Sequence, residues 1–231
     1  MTAGPRVRVL EYAGKGSGIA AAYAGWLLAR MGAQVGRLGG ERAPPPVAPG
    51  NPLQLAREVL AQGKDDVALP ADRAALDGLL AGADILLCDA RTDLQAIAGP
   101  LPDLARRVPR LVLGIASDFG LDGPYADHPS TALDAQALSA VAWSLGDPGR
   151  EPLTLPAGVL EHQSGAMLAA GCLLALAMRD ERGSGRTVDV ALADVLASYV
   201  AGNCRVYIHH GLQWHRSGQR PYGSCGAYPF A

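Results

Sequence analysis

The sequence predicts an α/β protein with a doubly wound parallel sheet and flanking helices. Short apolar segments typical of buried strands alternate with helical segments before residue 120, and this alternation favours parallel strands joined by right-handed crossovers. The first strand candidate runs into a glycine-rich turn that opens a helix, as in a βαβ unit. Hydrophobic residues make up 49% of the 231 residues and charged residues 18%, which suits one large or two small folded domains and excludes intrinsic disorder.

The predicted elements begin with one βαβ unit. It comprises a strand over Val7–Tyr12, a glycine-rich loop over Ala13–Gly18, a helix that ends near Met31 before a Gly32 cap, and a strand over Ala33–Leu38. Five prolines between residues 44 and 52 then exclude a helix or a central strand and predict an exposed connection.

Two further helix–strand pairs are predicted before residue 120: a helix over Asp72–Leu80 and a strand over Ala83–Cys88, then a helix over Leu101–Val108 and a strand over Arg110–Ser117. Glycine, proline and aspartate are frequent in residues 118–130, which predicts a loop over the strand ends. Beyond it we expect a helix over Thr131–Leu145, a buried helix over Gln163–Arg179, a strand over Thr187–Val190, a helix over Ala191–Val206 and an irregular tail from Gly211.

Composition excludes several classes of partner. A formal net charge of −2 and an aromatic content of 5% are unlike a surface that binds nucleic acid. The longest apolar run, over Ala166–Met178, is shorter than the roughly 20 residues that cross a bilayer, and the N-terminus lacks a signal-peptide pattern. The cysteines and histidines show no metal-ligand spacing. We therefore expect a cytoplasmic globular protein that binds no metal, nucleic acid or membrane.

The glycine-rich loop is the first candidate binding site. Gly16 and Gly18 begin a G-x-G-x-x-A pattern between a strand and a helix, where backbone N–H groups can hold a phosphate. A site for NAD would place an acid about 20 residues further on, whereas this chain has Arg37 there. Arginine favours a phosphate on the ribose, as in NADP or the 3′-phosphoadenosine of CoA. The alternative is a tight strand-to-helix turn without a ligand.

Several segments, in this order along the chain, resemble the family III CoA-transferases, which include formyl-CoA and carnitine CoA-transferases and the alpha-methylacyl-CoA racemases. The matching segments are Leu27–Ala33, Ala83–Leu87, Ser117–Gly120 followed by Gly123–Tyr125, Gly183–Leu192, and Tyr228 with Pro229. Of these, Gly183–Leu192 matches the family's G-x-G-x-x-V-D-V-S-L segment most fully.

The resemblance implies a domain organisation. It makes residues 1–231 similar to the family's large domain, with a CoA-binding part over 1–120 and a helical part over 121–231. Family members are longer, and their two chains interlock through a second domain that this chain lacks. The resemblance therefore implies a homodimer or a hetero-oligomer in which another chain supplies the missing half.

The resemblance also implies a nucleophile. In the family an aspartate attacks the acyl-CoA thioester, and the reaction passes through an anhydride and then an enzyme–CoA thioester. Alignment of this sequence with the family pattern places Glu161 at the position of that aspartate. Glu161 would lie just before the helix predicted from Gln163, where the helix dipole favours a carboxylate. The alternative is an ordinary acid at a helix start. We expect His162, its neighbour, to be a packing or surface residue.

The remaining family positions are only partly retained. Arg37, Lys64 and Arg91 are the candidates for the CoA phosphates, and the alternative for each is a solvated surface charge. Asp89 stands where the family has an asparagine of the CoA pocket. Thr131 stands where racemases have a catalytic histidine, which disfavours racemisation.

These features together predict an acyl-CoA:carboxylate CoA-transferase that binds an acyl-CoA and a small carboxylic acid. The alternative is a non-catalytic CoA-transferase-like domain or a subunit of a larger assembly. An NADP-binding reductase is a third hypothesis, but we find no Tyr-x-x-x-Lys pair or other catalytic set for it.

Overall fold

The computed structural model describes residues 6–12, 19–39, 52–89, 91–128, 130–156, 158–213, 215, 216 and 218. Within these residues, one parallel sheet of six strands has the order β3-β2-β1-β4-β5-β6. The strands are β1 (Arg8–Tyr12), β2 (Gln34–Leu38), β3 (Asp65–Val67), β4 (Ile85–Cys88), β5 (Val112–Ser117) and β6 (Thr187–Ala191). This arrangement confirms the predicted α/β class with its parallel sheet.

Helices cover both faces of the sheet. In chain order they are α1 (Ile19–Arg30), α2 (Pro52–Ala61), α3 (Arg73–Ala81), α4 (Arg91–Ala98), α5 (Leu101–Arg107), α6 (Ala132–Leu138), α7 (Val141–Ser144), α8 (Val159–Arg182), α9 (Leu192–Tyr199) and α10 (Ala201–His210).

Strand β4 shows why the central strands are apolar throughout. Ile85 and Leu87 pack against α1 and α8 on one face, while Leu86 and Cys88 pack against α3, α4 and α5 on the other. Successive strand side chains point to opposite faces, so a strand covered on both sides reads as a continuous apolar run. The predicted strand over Ala83–Cys88 rests on this pattern.

Helix α8 is long and apolar enough to cross a membrane by length and composition alone. Its most apolar window is 44% buried, and residues such as Leu168 and Cys172 belong to the core between α1 and the sheet. Because the core helix of a folded domain meets the same criterion, this property is weak evidence for a membrane span.

Two segments predicted as single helices each form two helices in the structure. The helix expected over Thr131–Leu145 divides into α6 and α7 at Ala140, whose φ of 62° is left-handed. The helix expected over Ala191–Val206 divides into α9 and α10 at Val200, whose ψ of 2° departs from helical geometry. Neither break has a glycine or proline at the residue that makes it, so the sequence carries no stop signal there.

The start of α8 also differs from the prediction. The helix begins at Val159 rather than at Gln163, directly after Gly158 with a φ of 90°. Glycine adopts that left-handed conformation without the penalty that a Cβ would bring. Glu161 consequently lies within the first helical turn and not before the helix.

Candidate active site

The carboxyl ends of the strands form the edge at which the candidate site lies. The strand order reverses between β1 and β4, and open α/β sheets bind ligands in the crevice beyond the strand ends at such a reversal. Asp89 directly follows β4, and Asp118 directly follows β5. The backbone N–H of Ala21, in the first turn of α1, donates to Asp89 Oδ1 over 2.7 Å, which places the start of α1 at the same edge.

Glu161 reaches this crevice from the first turn of α8. Its Oε2 is inaccessible to solvent and has no hydrogen-bond partner among the described residues. A helix N-terminus favours negative charge, because the first backbone N–H groups lack partners within the helix. The structure therefore holds a carboxylate oxygen ready for a ligand at the position that the sequence assigned to the nucleophile.

His162 does not form a pair with Glu161. Its Nδ1 is hydrogen-bonded to the carbonyl oxygen of Gly158, one turn earlier. Its ring packs edge-to-face on Tyr23 of α1, with 4.7 Å between the ring centroids. These contacts agree with the packing role expected for this histidine.

Asp89 is the second carboxyl group of the crevice. The pKa of Asp89 is raised to about 7, chiefly by burial; the Ala21 N–H acts to lower it, and the negative charges of Glu11, Asp118 and Glu161 add to the rise. Its Oδ2 is inaccessible to solvent and unpartnered among the described residues. The contribution of Glu161 to the raised pKa of Asp89 places these two groups in one electrostatic neighbourhood.

Glu11 and Lys64 form a buried ion pair next to that neighbourhood. The Lys64 ammonium lies 2.5 Å from Glu11 Oε2 and donates to the carbonyl oxygen of Ala22 over 2.7 Å. Their side chains are 0% and 3% exposed, for Lys64 and Glu11 respectively. Burial raises the pKa of Glu11 and lowers that of Lys64, and each charge counters the shift of the other. Gly25 of α1 leaves the space that the Glu11 carboxylate fills.

The other predicted contacts to CoA lie in different surroundings. Arg37 is a third exposed and forms a 2.5 Å ion pair with Asp66 at the β2–β3 side of the sheet. Lys64 is enclosed by its ion pair, so the structure does not bring it to an accessible surface. The side chain of Arg91, at the start of α4, and the loop glycines Gly16 and Gly18 lie outside the described part of the chain.

The loop after β5 is fixed by side chains from two directions. The Asp189 carboxylate, on β6, accepts the N–H of Leu121 over 2.8 Å, and the Ser117 hydroxyl accepts the N–H of Gly120 over 2.9 Å. Asp118 accepts a hydrogen bond from the hydroxyl of Ser130. Among the residues that the structure describes, no three His, Cys, Asp or Glu side chains are grouped so that they could hold a metal ion.

Comparison with known proteins agrees with this geometry. The model of CoA-transferase family III matches residues 6–231. The chain belongs to this family. Membership supports CoA transfer between acyl-CoA thioesters and carboxylates at the level of the family.

Three relatives show the range of the family. The chain is 30% identical over 199 residues to the succinyl-CoA–L-malate CoA-transferase beta subunit of Chloroflexus aurantiacus, covering 80% of this chain and 48% of that protein. It is 29% identical to the succinyl-CoA:(R)-benzylsuccinate CoA-transferase subunit BbsE of Thauera aromatica, covering 72% and 40%. It is 31% identical to the alpha-methylacyl-CoA racemase of Mus musculus, covering 81% and 47%.

A solved structure supports the fold. A CAIB/BAIF family protein from Brucella suis superposes with a TM-score of 0.74 at 22% identity, over 92% of this chain and 59% of that one. The chain thus spans about half the length of the curated relatives it matches, from 40% to 48% for the two CoA-transferase subunits.

Sequence reasoning did not select Asp89 or Glu11 as site residues. A signal for Asp89 exists, because an acid directly after a buried central strand lies at the ligand-binding edge of a parallel sheet. A signal for Glu11 also exists, since it is an acid that follows the apolar residues Val9 and Leu10 in a central strand. Its partner Lys64 is 53 residues away and follows a helix that the sequence did not predict.

Proposed function

We propose that this chain transfers CoA between an acyl-CoA and a carboxylic acid, with Glu161 as the carboxylate that carries the group. The observation that carries the proposal is the position of Glu161: its solvent-inaccessible Oε2, without a partner among the residues that the structure describes, lies at a helix N-terminus beyond the carboxyl ends of the sheet. A carboxylate suits the reaction because it can form two activated acyl links in succession.

The reaction balances without an external base. A Glu161 oxygen attacks the thioester carbonyl carbon, the C–S bond breaks, and CoA leaves as a thiolate from the mixed anhydride. The thiolate then attacks the Glu161 carbonyl carbon and releases the donor acid, which leaves a glutamyl–CoA thioester. The acceptor carboxylate reacts with this thioester by the same two steps in reverse, so that Glu161 is restored as a carboxylate and the acceptor becomes the acyl-CoA.

We propose that CoA is contacted by Arg37, Arg91, Gly16 and Gly18. Arg37 holds a guanidinium at a partly exposed position, where its ion pair with Asp66 can exchange for a phosphate. Lys64 enters only through its effect on charge, because its ammonium is enclosed with Glu11. The acyl donor includes a succinyl group in several relatives, so succinyl-CoA is a reasonable first donor to test.

A subunit role is the second candidate, because two relatives are named as subunits. Under that alternative the chain binds in an assembly and Glu161 carries no acyl group. A homodimer or hetero-oligomer and a cytoplasmic location stay predictions from the sequence.

The test uses the assembly purified through a tag on this chain, so that any natural partner is retained. Succinyl-CoA is added with hydroxylamine, which converts an activated glutamyl group into a stable hydroxamate, and peptide mass spectrometry locates the modification. We expect the hydroxamate at Glu161. We expect Glu161→Gln to lower transfer of CoA to added carboxylic acids by at least about a thousandfold, since an amide cannot carry the acyl group.

The matched control is Glu181→Gln, an exposed acid near the other end of α8, which should retain full transfer. Glu161→Asp removes one methylene and tests whether the longer side chain is adapted to this site. If Glu161→Gln transfers CoA as well as the unmodified chain and no hydroxamate forms, the catalytic role is wrong and the subunit role stands. Exchange of the α-hydrogen without acyl transfer would indicate a racemase instead.

A further inference from the structure

Asp89 is held by one oxygen and presents the other. Oδ1 accepts the N–H of Ala21 at 2.7 Å, which fixes the carboxyl group against the start of α1. Oδ2 is inaccessible to solvent and has no hydrogen-bond partner among the described residues. A buried ionised oxygen without a donor is costly, whereas a protonated oxygen is itself a donor and can satisfy a ligand oxygen.

Among the described residues, three carboxyl groups from three different elements act on Asp89. Glu11 faces it from β1, Asp118 from the end of β5, and Glu161 from α8. Among the described residues a nearby cation is Lys64, which is bonded to Glu11 and to the carbonyl oxygen of Ala22. Counting only the residues that the structure describes, these three carboxylates and the paired ammonium of Lys64 give an excess of negative charge near Asp89.

Two further charged or titratable groups lie near these residues and are already engaged. Arg37 acts on Glu11 and Lys64, but its guanidinium is paired with Asp66. His162 follows Glu161 on α8, and its Nδ1 is bonded to the Gly158 carbonyl. Neither of them provides a donor to the free oxygen of Asp89.

The reaction assigned to Glu161 adds another negative group. The acceptor acid enters as an anion, and its oxygen must approach the carbonyl carbon held by Glu161. An ionised Asp89 would repel that anion at close range and would offer it no proton, whereas a neutral Asp89 removes the repulsion. Because Oδ2 lies in the same neighbourhood as Glu161, the protonation state of Asp89 decides whether the acceptor anion is repelled or can approach.

We propose that Asp89 donates its Oδ2–H in a hydrogen bond to the entering carboxylate of the acceptor acid and so holds that anion beside Glu161. Asp89 is then a specificity-determining group for a carboxylate beside Glu161. This role rests on the proposed CoA transfer. No bond is made or broken at Asp89, and its proton stays on Oδ2 throughout.

The first test needs no activity. Infrared difference spectra of the isotopically labelled chain between pH 5 and pH 9 should show a protonated carboxylic acid that ionises near pH 7. The same band should be absent from Asp89→Asn. It should be retained in Asp127→Asn, which changes an exposed acid in the loop after β5. A full set of ionised carboxylates at pH 6 in the unmodified chain would overturn the proposal.

The second test measures the role. For the tagged assembly with succinyl-CoA, kcat/KM for the acceptor acid should fall about tenfold per pH unit above pH 7. Asp89→Asn is neutral, keeps an oxygen for the Ala21 N–H and offers an amide donor in place of the hydroxyl, so its transfer should persist and lose that alkaline decline. Asp89→Leu, which has no donor, should raise KM for the acceptor at least about tenfold at pH 6 with little change in the KM for succinyl-CoA.

The outcomes separate the two proposals. If the hydroxamate forms at Glu161 but Asp89→Asn keeps the alkaline decline, the role of Asp89 is wrong and CoA transfer stands. If no hydroxamate forms at any pH, CoA transfer is wrong and the acceptor role of Asp89 is overturned with it, whatever the infrared band shows. A thermal unfolding curve for each variant identifies loss of fold, and Asp89→Asn then decides the case if Asp89→Leu does not fold.

Discussion

At Gly165, helix α8 packs closely against helix α1. A Cβ at this position would lie 3.0 Å from the Cβ of Tyr23 and 3.2 Å from the carbonyl carbon of Ala20, and it would lie nearer still to the Ala20 carbonyl oxygen. Carbon atoms in contact prefer about 3.5–4.0 Å. Gly165→Ala therefore forces α1 and α8 apart by at least about 0.5 Å along their contact.

The expected effect follows from two opposing contributions. Overpacking that moves backbone costs typically about 1–3 kcal/mol, while alanine in place of a helical glycine gains up to about 1 kcal/mol. The obstacle is a backbone carbonyl, which cannot turn aside as a flexible side chain does. We expect Gly165→Ala to lower the free energy of unfolding by about 1–2 kcal/mol in urea denaturation.

The same displacement reaches the active site. Ala20 precedes Ala21, whose N–H holds Asp89, and Glu161 lies one helical turn before Gly165. A misplacement on the order of 1 Å in a reacting geometry can reduce the rate roughly a hundredfold. We therefore expect transfer activity to fall by more than tenfold even at temperatures where Gly165→Ala is fully folded.

The control is Gly202→Ala on α10, where an added Cβ meets nothing within 4 Å. The residue is exposed, so helix propensity alone should stabilise the protein by up to about 1 kcal/mol without loss of transfer. If Gly165→Ala is as stable as Gly202→Ala, the close approach of α1 and α8 is not a constraint and the reasoning is refuted.

Three other substitutions have expected outcomes. Lys64→Met should lower the free energy of unfolding in urea by about 3 kcal/mol at pH 8 and by less at pH 5. Burial raises the pKa of Glu11, so Glu11 can take up a proton as the pH falls and no longer needs its partner. An equal loss at both pH values would contradict this. Ala140→Gly should stabilise by about 0.5–1 kcal/mol because φ is 62°, whereas Ala137→Gly within α6 should destabilise by a similar amount; the same sign for both would refute the left-handed backbone. Asp89→Asn should gain stability over the unmodified chain as the pH rises from 4 to 7, up to about 4 kcal/mol and level above that, because Asp89 ionises near pH 4 in the unfolded chain but only at about pH 7 in the folded one; parallel unfolding curves would exclude the shift.

The central strands could be predicted because burial on both faces leaves a direct mark on the sequence. β4 and β5 read as apolar runs, and the structure buries every residue of β4. The edge strand β3 could not be predicted, since it has three residues and begins with two exposed aspartates. Helix α2 was missed because prolines dominate the stretch before it, although Pro52 at the first helical position is compatible with a helix.

The site was predictable only in part, for reasons of distance along the chain. The resemblance to the family selected Glu161 as the candidate nucleophile, and the predicted helix start at Gln163 lies four residues after the observed start at Val159. The enclosure of Lys64 was not predictable, because it depends on Glu11, 53 residues earlier, and on the space at Gly25. A sequence alone does not show which acid pairs with a basic residue. For Lys64, the ion pair with Glu11 encloses the ammonium, so that it does not serve as the predicted contact to CoA.

Lys64 influences the site through charge even though its ammonium is enclosed. It neutralises Glu11, so the crevice near Asp89 and Glu161 carries one negative charge fewer than the count of its carboxylates. Asp89 raises the pKa of Lys64, and by reciprocity the Lys64 charge favours the ionised form of Asp89. Removing Lys64 while Glu11 stays charged should therefore move the ionisation of Asp89 to higher pH and extend transfer to more alkaline solution. A buried ion pair that looks purely structural would in this way set the pH range in which an acceptor acid can enter.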